Sequence, residues 1–480
     1  MLGKRLTGWL ILTLVLSLIV ASCSSGSGSG NKDAEPASVS IMYWSEMGFN
    51  QDFGIAFYAT HPHIDVQVID SSSVLFNQDG GDYNEMMDEF IREKQPDILM
   101  LSQEQYEKYA AEGRIVSLES FVTRDKFDLE GMIPGVVDLL REKGGGELYG
   151  LSPTFTSRAI YYNKDLFDRF GIEYPTDRMS WEDLFNLAAR FPTDGSDEDR
   201  IYGLSIGTTD LHQIGQQIGG TMGLRLVNPA DKRVSLDTDS WVRAYEIALN
   251  AIRSGTLYQE DYSDFPSGMS YQDFLLRDPF IAGKVAMSLN HSYLLEQIRE
   301  AANSSPDRAV KNWDIVTLPV DPANPDFSYE FSLGNIYAIN AESPNREAAW
   351  EFIRYIHSDD YARVKSKSFN GQFPIRTKYI EDKEGRNLSA FYALKPSGHT
   401  LYDGIADLPG NFYMQYFTIG TEEMQAVLNE EKTVREALAS MQTRLQAALD
   451  EELAKQKNES GADSNQDPAG AADEGASAAE

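Results

Sequence analysis

The sequence YNEMMDEFIREKQPDILML, residues 83–101, decides the fold class of this 480-residue chain. Its first half has apolar side chains at positions i, i+3, i+4, i+7 and i+8, the pattern of an amphipathic helix. These positions are Tyr83, Met86, Met87, Phe90 and Ile91. Pro96 separates this helix from residues 97–101, DILML, an apolar run typical of a buried strand. A helix followed closely by a buried strand indicates a unit of an α/β fold.

Strand and helix patterns alternate around this unit. Strands are expected at residues 39–44 and 64–69, a short helix at 53–59, and a helix at 103–112 that ends at Gly113. This alternation predicts a parallel sheet with helices on both faces. Ligands of such sheets bind beyond the carboxyl ends of the strands. The candidate binding residues at those ends are Trp44, Glu46, Ser102 and Gln103.

The chain has one cysteine, Cys23, which follows an apolar run at residues 9–20. Basic residues precede this run and small residues follow it, which is typical of a secretory signal peptide, expected here at residues 1–22. The sequence VASC at 20–23 resembles the lipobox of bacterial lipoproteins, in which the cysteine is acylated after cleavage. We therefore expect lipidation at Cys23 and attachment to the outer face of the cell membrane. A free cysteine beside an ordinary cleavage site is the alternative.

The composition at both ends of the mature chain is typical of flexible segments. Residues 23–37 are rich in Ser and Gly, the composition of a tether between the lipid and the folded body. Residues 458–480 carry Ala, Gly, Asp, Glu and Ser with few large apolar side chains. Such a segment buries too little surface to offset the entropy of ordering, so we expect a disordered acidic tail.

The charge of the chain excludes some partners. It has 74 acidic and 42 basic residues, a formal charge of −32. A body this acidic is repelled by nucleic acid and by anionic lipid headgroups, so membrane attachment would depend on the acyl chains. With one cysteine, no disulfide forms within the chain.

Motifs for catalysis, metals and cofactors are weak. His61 and His63 flank a proline, and an exposed turn is favoured over a metal pair. Residues 144–146 are Gly-Gly-Gly without the Lys-Ser/Thr partner of a phosphate loop. The acidic residues 194–199 lack the order of a calcium loop and favour a solvated surface loop. No Gly-x-Ser-x-Gly motif occurs. We expect no cofactor, no metal and no enzyme, although abundant carboxylates leave a glycosidase pair open.

Several motifs have local structural explanations. Asn163 or Asp165 is available to cap the helix that begins there. Ser180 with Asp183, and Thr433 with Glu436, have the spacing of capping boxes. Beyond Thr433, apolar residues recur at helical spacing, which predicts a core-packing stripe. The stripe consists of Val434, Leu438, Met441, Leu445, Leu449 and Leu453.

A series of short motifs in a fixed order resembles one protein family over residues 39–453. The motifs are PHIDV at 62–66, PDIL at 96–99, GRIVSL at 113–118, GELYGL at 146–151, YYNKDLF at 161–167, MSWED at 179–183, AGKVAM at 282–287, EAAWEFI at 347–353, FPIR at 373–376 and TVREAL at 433–438. The family is the extracellular solute-binding proteins of carbohydrate ABC importers, family 1, which contains maltose-binding protein.

The resemblance implies a two-lobed α/β fold of the periplasmic-binding-protein kind. Each lobe would be a mixed or mostly parallel sheet flanked by helices, with a hinged cleft. Lobe 1 would comprise residues 39–151 plus 334–374, and lobe 2 residues 152–333 plus 375–457. Ligand bound between the lobes would favour the closed state. The chain would cross between lobes near 150–154, 328–334 and 371–376.

The resemblance also implies a sugar site lined by aromatic and polar side chains. Aromatic rings cover the apolar faces of sugars, and amide, carboxylate and guanidinium groups bind the hydroxyls. The residues implied are Thr154, Phe155, Thr156, Arg158, Asn290, Tyr293, Gly334, Asn335, Arg376, Tyr413 and Phe417.

Arg158 and Arg376 raise the hypothesis of an acidic saccharide, because guanidinium groups bind carboxylates in a fork geometry. Arginine–glutamate pairs that clamp the lobes are the alternative explanation.

The function implied is that of a monomeric, lipid-anchored solute-binding protein. It would capture a mono- or oligosaccharide and deliver it to the permease subunits of an ABC importer. Two alternatives stay open: a ligand-binding sensor or adhesin lipoprotein on the same fold, and a lipid-anchored glycoside hydrolase.

Overall fold

The computed structural model describes residues 36–75, 83–195, 200–228, 230–259, 268–399, 401–402, 408 and 411–463. The predicted signal peptide, Cys23, the tether up to residue 35 and the segment 464–480 lie outside the described residues. The last described helix continues to Asp463, so the first six residues of the predicted tail, 458–463, are helical.

The strands, numbered in chain order, alternate with helices along much of the chain. They are β1 Ala37–Tyr43, β2 Ile64–Asp70, β3 Ile98–Leu101, β4 Gly150–Leu151, β5 Thr154–Asn163, β6 Tyr202–Ser205, β7 Val227–Asn228, β8 Arg233–Val234, β9 Val285–His291, β10 Trp313–Val316, β11 Phe327–Ser328, β12 Phe331–Leu333, β13 Ile336–Ile339, β14 Phe373–Pro374 and β15 Lys395–Pro396.

Two of the helices, Tyr83–Lys94 within the stretch 83–101 and Gln103–Ala111 just after it, lie close to their predicted positions. The α-helices are Glu46–Phe49, Ile55–Thr60, Ser72–Leu75, Tyr83–Lys94, Gln103–Ala111, Glu119–Asp125, Val136–Lys143, Lys164–Phe170, Trp181–Ala188, Leu211–Thr221, Asp239–Arg253, Tyr271–Leu275, Leu294–Ser304, Arg346–Ile356, Asp359–Lys365, Phe412–Leu428 and Val434–Asp463. A π-helix covers Asn50–Gly54, and 3₁₀-helices cover Thr377–Tyr379 and Leu388–Phe391.

The chain divides into two compact units. The smaller unit is Met1–Ile98 with Ser343–Phe352, and the larger unit is Leu99–Glu342 with Ile353–Glu480. The lobe boundaries expected from the sequence stay a prediction.

In the smaller unit, β1 and β2 form the predicted parallel pair. The two strands are in register over seven residue pairs, beginning at Ala37 with Ile64. Ile41 of β1 also pairs in parallel with Ile98, where β3 begins. Parallel strands joined through a helix are the arrangement that the alternation of elements predicts, so this part of the fold prediction is confirmed.

The core of the smaller unit centres on Phe352. The rings of Phe49, Phe53 and Phe57 lie 5.7, 5.9 and 5.1 Å from the Phe352 ring, centroid to centroid. All four side chains are buried. Aromatic clusters of this kind bury large apolar areas, so they hold the distant segment 343–352 against the start of the chain.

A buried carboxylate adds a polar tie within the same unit. Asp97 accepts hydrogen bonds from the Ser40 backbone N–H at 2.7 Å and from the Ser343 hydroxyl at 2.6 Å. Burial opposes ionisation of Asp97, but these hydrogen bonds outweigh it and lower the pKa of the carboxyl. Asp97 therefore stays ionised and joins β1 to the segment that carries Ser343.

In the larger unit, β5 is the central strand. It pairs antiparallel with β9 and with β10, and β6 adds to β9 in parallel. The shorter strands β12 and β14 pair antiparallel with the first residues of β5. The sheet is therefore mixed, as the sequence predicts.

Helices cover this sheet with a continuous apolar core. The predicted stripe of the last helix is buried in that core from Val434 to Leu449, and Leu453 packs against it. Its assignment to core packing is confirmed.

The predicted caps are also present. Ser180 and Asp183 form a capping box, and Thr433 and Glu436 exchange the same two kinds of hydrogen bond. The carboxamide oxygen of Asn163 caps the helix Lys164–Phe170.

Candidate functional site

The three segments predicted to cross between the lobes meet at the start of β5, within the larger unit. Segment 150–154 leads into β5, and the other two contain β12 and β14, which pair with it. Leu333 of β12 and Phe373 of β14 both pair with Phe155. The Phe155 ring is fully buried, 5.1 Å from the Phe331 ring and 5.4 Å from the Phe373 ring. Phe155 is therefore the packing centre at which these three segments meet.

Further along β5, Arg158 lies beside an acidic and an imidazole side chain. Its Nη1 is 3.5 Å from Oε2 of Glu330, and its strand partner in β9 is His291. The Arg158 Nε is buried and has no hydrogen-bond partner among the described residues. Burial, and then the positive charge of Arg158, lower the pKa of His291. This end of β5 thus carries a cation with unused hydrogen-bonding capacity.

An aromatic wall stands in the same unit, formed by Tyr402, Tyr413 and Phe417. The Tyr413 ring lies 5.6 Å from the Tyr402 ring and 4.7 Å from the Phe417 ring. The two tyrosines are about two-fifths exposed. Burial, then Tyr413, and then the charge of Glu330 raise the pKa of Tyr402, so its phenol stays neutral. The wall offers exposed ring faces together with hydroxyl donors.

Glutamine side chains next to the wall have free polar atoms. The Tyr402 hydroxyl donates to Oε1 of Gln216 at 3.1 Å. The Gln216 Nε2 and the Gln217 Oε1 are buried and have no partner among the described residues. Since buried polar groups are usually satisfied, unpartnered ones next to exposed rings indicate a place for a polar ligand.

Gln217 also lines a small pocket that Glu330 borders. The pocket is narrow and partly open to solvent. Its lining includes Trp181, Thr221, Phe327 and Tyr329. Glu330 therefore lies next to Arg158 and also lines the pocket that Gln217 lines.

A buried histidine supports the aromatic wall from behind. His212 lies 4.8 Å from the Tyr416 ring and 5.9 Å from the Phe417 ring, and its Nδ1 is 2.8 Å from the Tyr245 hydroxyl. Burial lowers the pKa of His212 to about 4, so the imidazole is neutral. Packing around this ring fixes the helix that presents Tyr413 and Phe417.

Tyr293 stands on the backbone of another predicted crossing segment. A Cβ built at Gly371 would lie 1.9 Å from the Tyr293 Cδ1, so the ring is in direct contact with this glycine. The Ser292 hydroxyl donates to the Gly371 carbonyl oxygen. Tyr293 is 45% exposed, which leaves part of its ring open to a ligand.

In the smaller unit, Trp44 and Glu46 lie where β1 ends. The Trp44 ring packs on Gly48, where a Cβ would come within 2.0 Å of the indole. Glu46 is exposed in the first turn of the helix Glu46–Phe49, which Ser45 caps. Both side chains are thus positioned by the turn that follows β1.

No metal centre or membrane span is found in the described parts of the chain. His, Cys, Asp and Glu side chains form no group of three with the geometry of a metal site there. His61 and His63 lie 3.7 and 3.6 Å from Oε1 of Glu351. None of the described helices combines the length and the hydropathy that crossing a bilayer requires.

The sequence of this chain matches one family model over residues 43–363, more than half of its length. That model describes bacterial extracellular solute-binding proteins. The chain belongs to this family. The predicted family is therefore confirmed.

Two curated relatives resemble this solute-binding protein. A binding protein of Brucella abortus is 26% identical over 304 residues, which cover 61% of this chain and 68% of the relative. A maltooligosaccharide ABC transporter solute-binding lipoprotein of Streptococcus pneumoniae is 23% identical over 248 residues, which cover 50% of this chain and 52% of the relative.

Solved structures agree on the fold. The crystal structure of a sugar transporter from Rhizobium etli, in an open conformation, has a TM-score of 0.61 at 21% identity and covers 85% of this chain and 99% of its own. The prediction of a two-lobed α/β fold of the periplasmic-binding-protein kind is thus confirmed.

Several of the residues expected in the binding site are occupied by contacts within this solute-binding protein. The Ser102 hydroxyl and the Gln105 amide form a capping box at the start of the helix Gln103–Ala111, with half-buried Gln103 as its first residue. Asn290 donates to Asp278 at 3.4 Å. Thr154 and Phe155 are buried, and Thr156 is half-buried.

Arg376 is the clearest of these cases. It is 3% exposed, and its Nε donates to the His357 carbonyl oxygen at 2.7 Å. Its Nη1 and Nη2 contact Oδ2 and the carbonyl oxygen of Asp128 at 3.0 and 2.9 Å. The guanidinium is therefore held by protein groups on every nitrogen. In this structure these contacts tie Arg376 to Asp128 and His357, and its role toward a ligand stays a prediction.

Gly334 and Asn335 lie beside the start of β5. The Gly334 N–H donates to the Thr154 carbonyl oxygen at 3.0 Å, and a Cβ at Gly334 would lie 2.7 Å from the Thr154 hydroxyl. Asn335 is exposed. Among the predicted residues, Arg158 has an unpartnered Nε, and Tyr413 and Phe417 belong to the wall whose Tyr402 contacts Gln216.

Sequence reasoning missed Glu330, Tyr402, Gln216 and Gln217. Glu330 is one of 74 acidic residues, and nothing in its local sequence distinguishes it. Gln216 and Gln217 follow each other in the helix Leu211–Thr221, and this pair of adjacent amides is the one signal that the sequence offers.

Proposed function

We propose that this protein is the substrate-binding component of an ABC importer and that its ligand is a sugar or oligosaccharide. The observation that carries the proposal is the aromatic wall of Tyr402, Tyr413 and Phe417, next to the unpartnered amide atoms of Gln216 and Gln217. Ring faces match the C–H faces of a pyranose, and amides bind hydroxyls as donors and acceptors. This combination suits the ring and hydroxyl groups of a sugar better than a peptide side chain.

The relatives support the same class of ligand and role. The pneumococcal relative is named for maltooligosaccharides and an ABC transporter, and the Rhizobium etli structure is that of a sugar transporter. Permease subunits are the partners that such a role requires. A sensor or adhesin on the same fold would bind the ligand without supporting uptake, and growth on the sugar as sole carbon source distinguishes the two.

We further propose that the protein does not convert its ligand. A glycoside hydrolase needs two carboxyl groups placed on either side of one glycosidic bond. Among the residues that line the pocket, Glu330 is the acidic one, so the pocket offers one carboxyl group. Recovery of the bound saccharide unchanged after prolonged incubation is the expected result.

Attachment to the membrane through Cys23 belongs to the same proposal. The pneumococcal relative is a lipoprotein by name, and Cys23 follows a lipobox-like sequence. Cys23→Ser should abolish incorporation of labelled palmitate and release the protein from the membrane fraction. Palmitate labelling that persists in Cys23→Ser would contradict the anchor.

The two lobes proposed here are residues 39–151 plus 334–374 and residues 152–333 plus 375–457. In this proposal the segments 150–154, 328–334 and 371–376 are the crossings, so closure would bend the chain close to Phe155. Small-angle scattering of the protein with and without ligand should give a smaller radius of gyration in the bound state.

A thermal-shift screen tests the ligand class. Neutral and acidic mono- and oligosaccharides, peptides and polyamines are added to the full-length protein. A ligand present at a hundredfold excess over its Kd adds about 2.7 kcal/mol of stability, and the midpoint rises accordingly. Shifts with saccharides alone support the proposal. Shifts with peptides or polyamines alone would contradict the sugar assignment.

Tyr413→Ala then tests the wall itself. Loss of one stacking ring should weaken saccharide binding about tenfold. Met414→Ala is the matched control, because Met414 is the next residue of the same helix, 66% exposed and outside the wall. Equal effects of the two variants would show that the wall does not contact the ligand.

A further inference from the structure

Arg376 lies on a predicted crossing segment, and Arg158 lies beside one. The two differ in how many of their N–H donors have close hydrogen-bond partners. A guanidinium carries five N–H donors. Arg376 uses all three of its nitrogens in contacts of 2.7 to 3.0 Å. Arg158 is only 15% exposed, yet its contacts, with Glu330 Oε2 and the Leu289 carbonyl oxygen, are both 3.5 Å long. Its Nε has no partner among the described residues.

An under-satisfied buried cation is costly to the free protein. Leaving a buried donor without an acceptor costs the full desolvation penalty of that donor, and more for a charged group. Such groups call for an explanation in function, because native proteins satisfy nearly all buried polar atoms. Arg158 therefore has the binding capacity that Arg376 has already used.

Glu330 is the counter-charge of Arg158, and it is weakly held. Its side chain is 40% exposed, and the 3.5 Å separation from Arg158 is longer than a charge-assisted hydrogen bond. Glu330 precedes β12, which pairs with β5 beside Arg158. Glu330 also lines the pocket that Gln217 and Thr221 line, so side chains with hydrogen-bond donors share its surroundings. Glu330 can therefore leave Arg158 without being stranded in an apolar environment.

Building on the sugar-binding function proposed above, we propose that the ligand is an acidic saccharide. One of its carboxylates replaces Glu330 on the guanidinium of Arg158, and Glu330 is the internal counter-ion of the empty state. A carboxylate matches the planar fork of arginine with two parallel hydrogen bonds, which the single long contact to Glu330 does not provide. The aromatic wall then takes the sugar ring.

The sign of one substitution separates this idea from the common alternative. If Arg158 and Glu330 together bind hydroxyls of a neutral sugar, Glu330→Gln weakens binding. If Glu330 competes with the ligand carboxylate, Glu330→Gln strengthens binding of acidic sugars. An exposed ion pair is worth up to about 1 kcal/mol, so the expected gain is about two- to fivefold.

Calorimetric titrations of the full-length protein test the proposal. The probes are trimers of galacturonate and of mannuronate, with galactotriose and mannotriose as neutral partners of equal length. The wild-type protein should bind a uronate trimer about tenfold or more tightly than its neutral partner, because hydrogen bonds to charged groups are worth about 1.5–3 kcal/mol. Arg158→Gln should remove that preference. Arg158→Lys, which keeps the charge but loses the fork, should retain only part of it.

Asp326→Asn is the matched control for Glu330→Gln. Asp326 is also 3.5 Å from an arginine, Arg178, and this pair lies outside the proposed site. It should leave uronate affinity unchanged. Melting curves of each variant identify loss of folding.

The outcomes of these titrations distinguish failure of the acidic-ligand proposal from failure of the sugar-binding function. Weaker uronate binding by Glu330→Gln, or preference for the neutral trimers, overturns the acidic ligand while sugar binding stands. Failure of every saccharide to bind, with a response to peptides or polyamines, overturns the sugar function and this inference together.

Discussion

The ring of Tyr293 rests directly on the backbone of Gly371. The glycine has φ +89°, and a Cβ there would lie 1.9 Å from the tyrosine ring. Two independent constraints therefore demand glycine at this position: the left-handed backbone and the space occupied by the ring. Since Gly371 lies on a segment predicted to cross between the lobes, the contact couples the pose of Tyr293 to that segment.

Gly371→Ala should destabilise the protein and move Tyr293. The left-handed backbone costs a residue with a Cβ about 1–2 kcal/mol, and the clash with the ring adds a similar amount. Chemical denaturation measures the loss of stability, and a saccharide titration measures the effect on binding.

Gly385→Ala is the control that separates strain from clash. Gly385 has φ +79°, and nothing lies within 4 Å of its built Cβ. It should lose only the backbone contribution and keep saccharide affinity. If the two variants lose equal stability, the contact with Tyr293 has no energetic weight.

Two helical glycines should respond to alanine with opposite signs. Alanine usually stabilises a helix interior by about 1 kcal/mol relative to glycine. At Gly420 a Cβ would lie 2.2 Å from the His212 ring, whereas at Gly220 the nearest atom is 3.9 Å away. We expect Gly220→Ala to raise the melting temperature and Gly420→Ala to lower it. The same sign for both would mean that His212 does not pack tightly against the wall helix.

The local parts of this fold are predictable from the sequence, because the residues that determine them are neighbours. Ser180 caps a helix with Asp183, three residues away, and the apolar stripe from Val434 follows one helix face. Strand β1 and the helix after it follow from periodicity of the same kind.

The candidate site is predictable only in part, because it depends on contacts between distant residues. Arg158 was expected at the site, but its partner Glu330 lies in another segment and has no local signature. Phe155 was expected to face a ligand, yet the rings of Phe331 and Phe373 bury it. The sequence of a strand gives its alternation, but the pairing of strands decides which face is covered.

Arg376→Gln should lower the free energy of unfolding. It should change the free energy of ligand binding by less. The variant removes contacts to Asp128 and to the His357 carbonyl oxygen, and breaking a buried charged network costs about 3 kcal/mol. Asp128 is 58% exposed and re-solvates easily, so Asp128→Asn should cost less. Denaturation and calorimetry on both variants check the order. A larger loss for Asp128→Asn would contradict the central place of Arg376.

The buried histidines should make stability fall as the pH is lowered below neutral. Burial lowers the pKa of both His212 and His357 from 6.5 to about 4 in the folded protein. Between those values the unfolded chain binds a proton that the folded state does not, so the free energy of unfolding decreases as the pH falls from 6.5 towards 4. Each histidine should account for about 3 kcal/mol over that range.

Replacing each histidine removes its titrating imidazole. The difference from the wild type then gives the contribution of that histidine to the pH dependence of the free energy of unfolding. His212→Gln and His357→Gln should each reduce the slope of unfolding free energy against pH by about one proton between pH 6.5 and 4.5. Exposed His399→Gln serves as the matched control. Carboxylates with lowered pKa values, such as Asp97, are present in the wild type and in each variant, so their contribution cancels in the comparison. A wild-type slope in His212→Gln would mean that water reaches this imidazole, and the support of the aromatic wall by a dry, neutral ring would then be wrong.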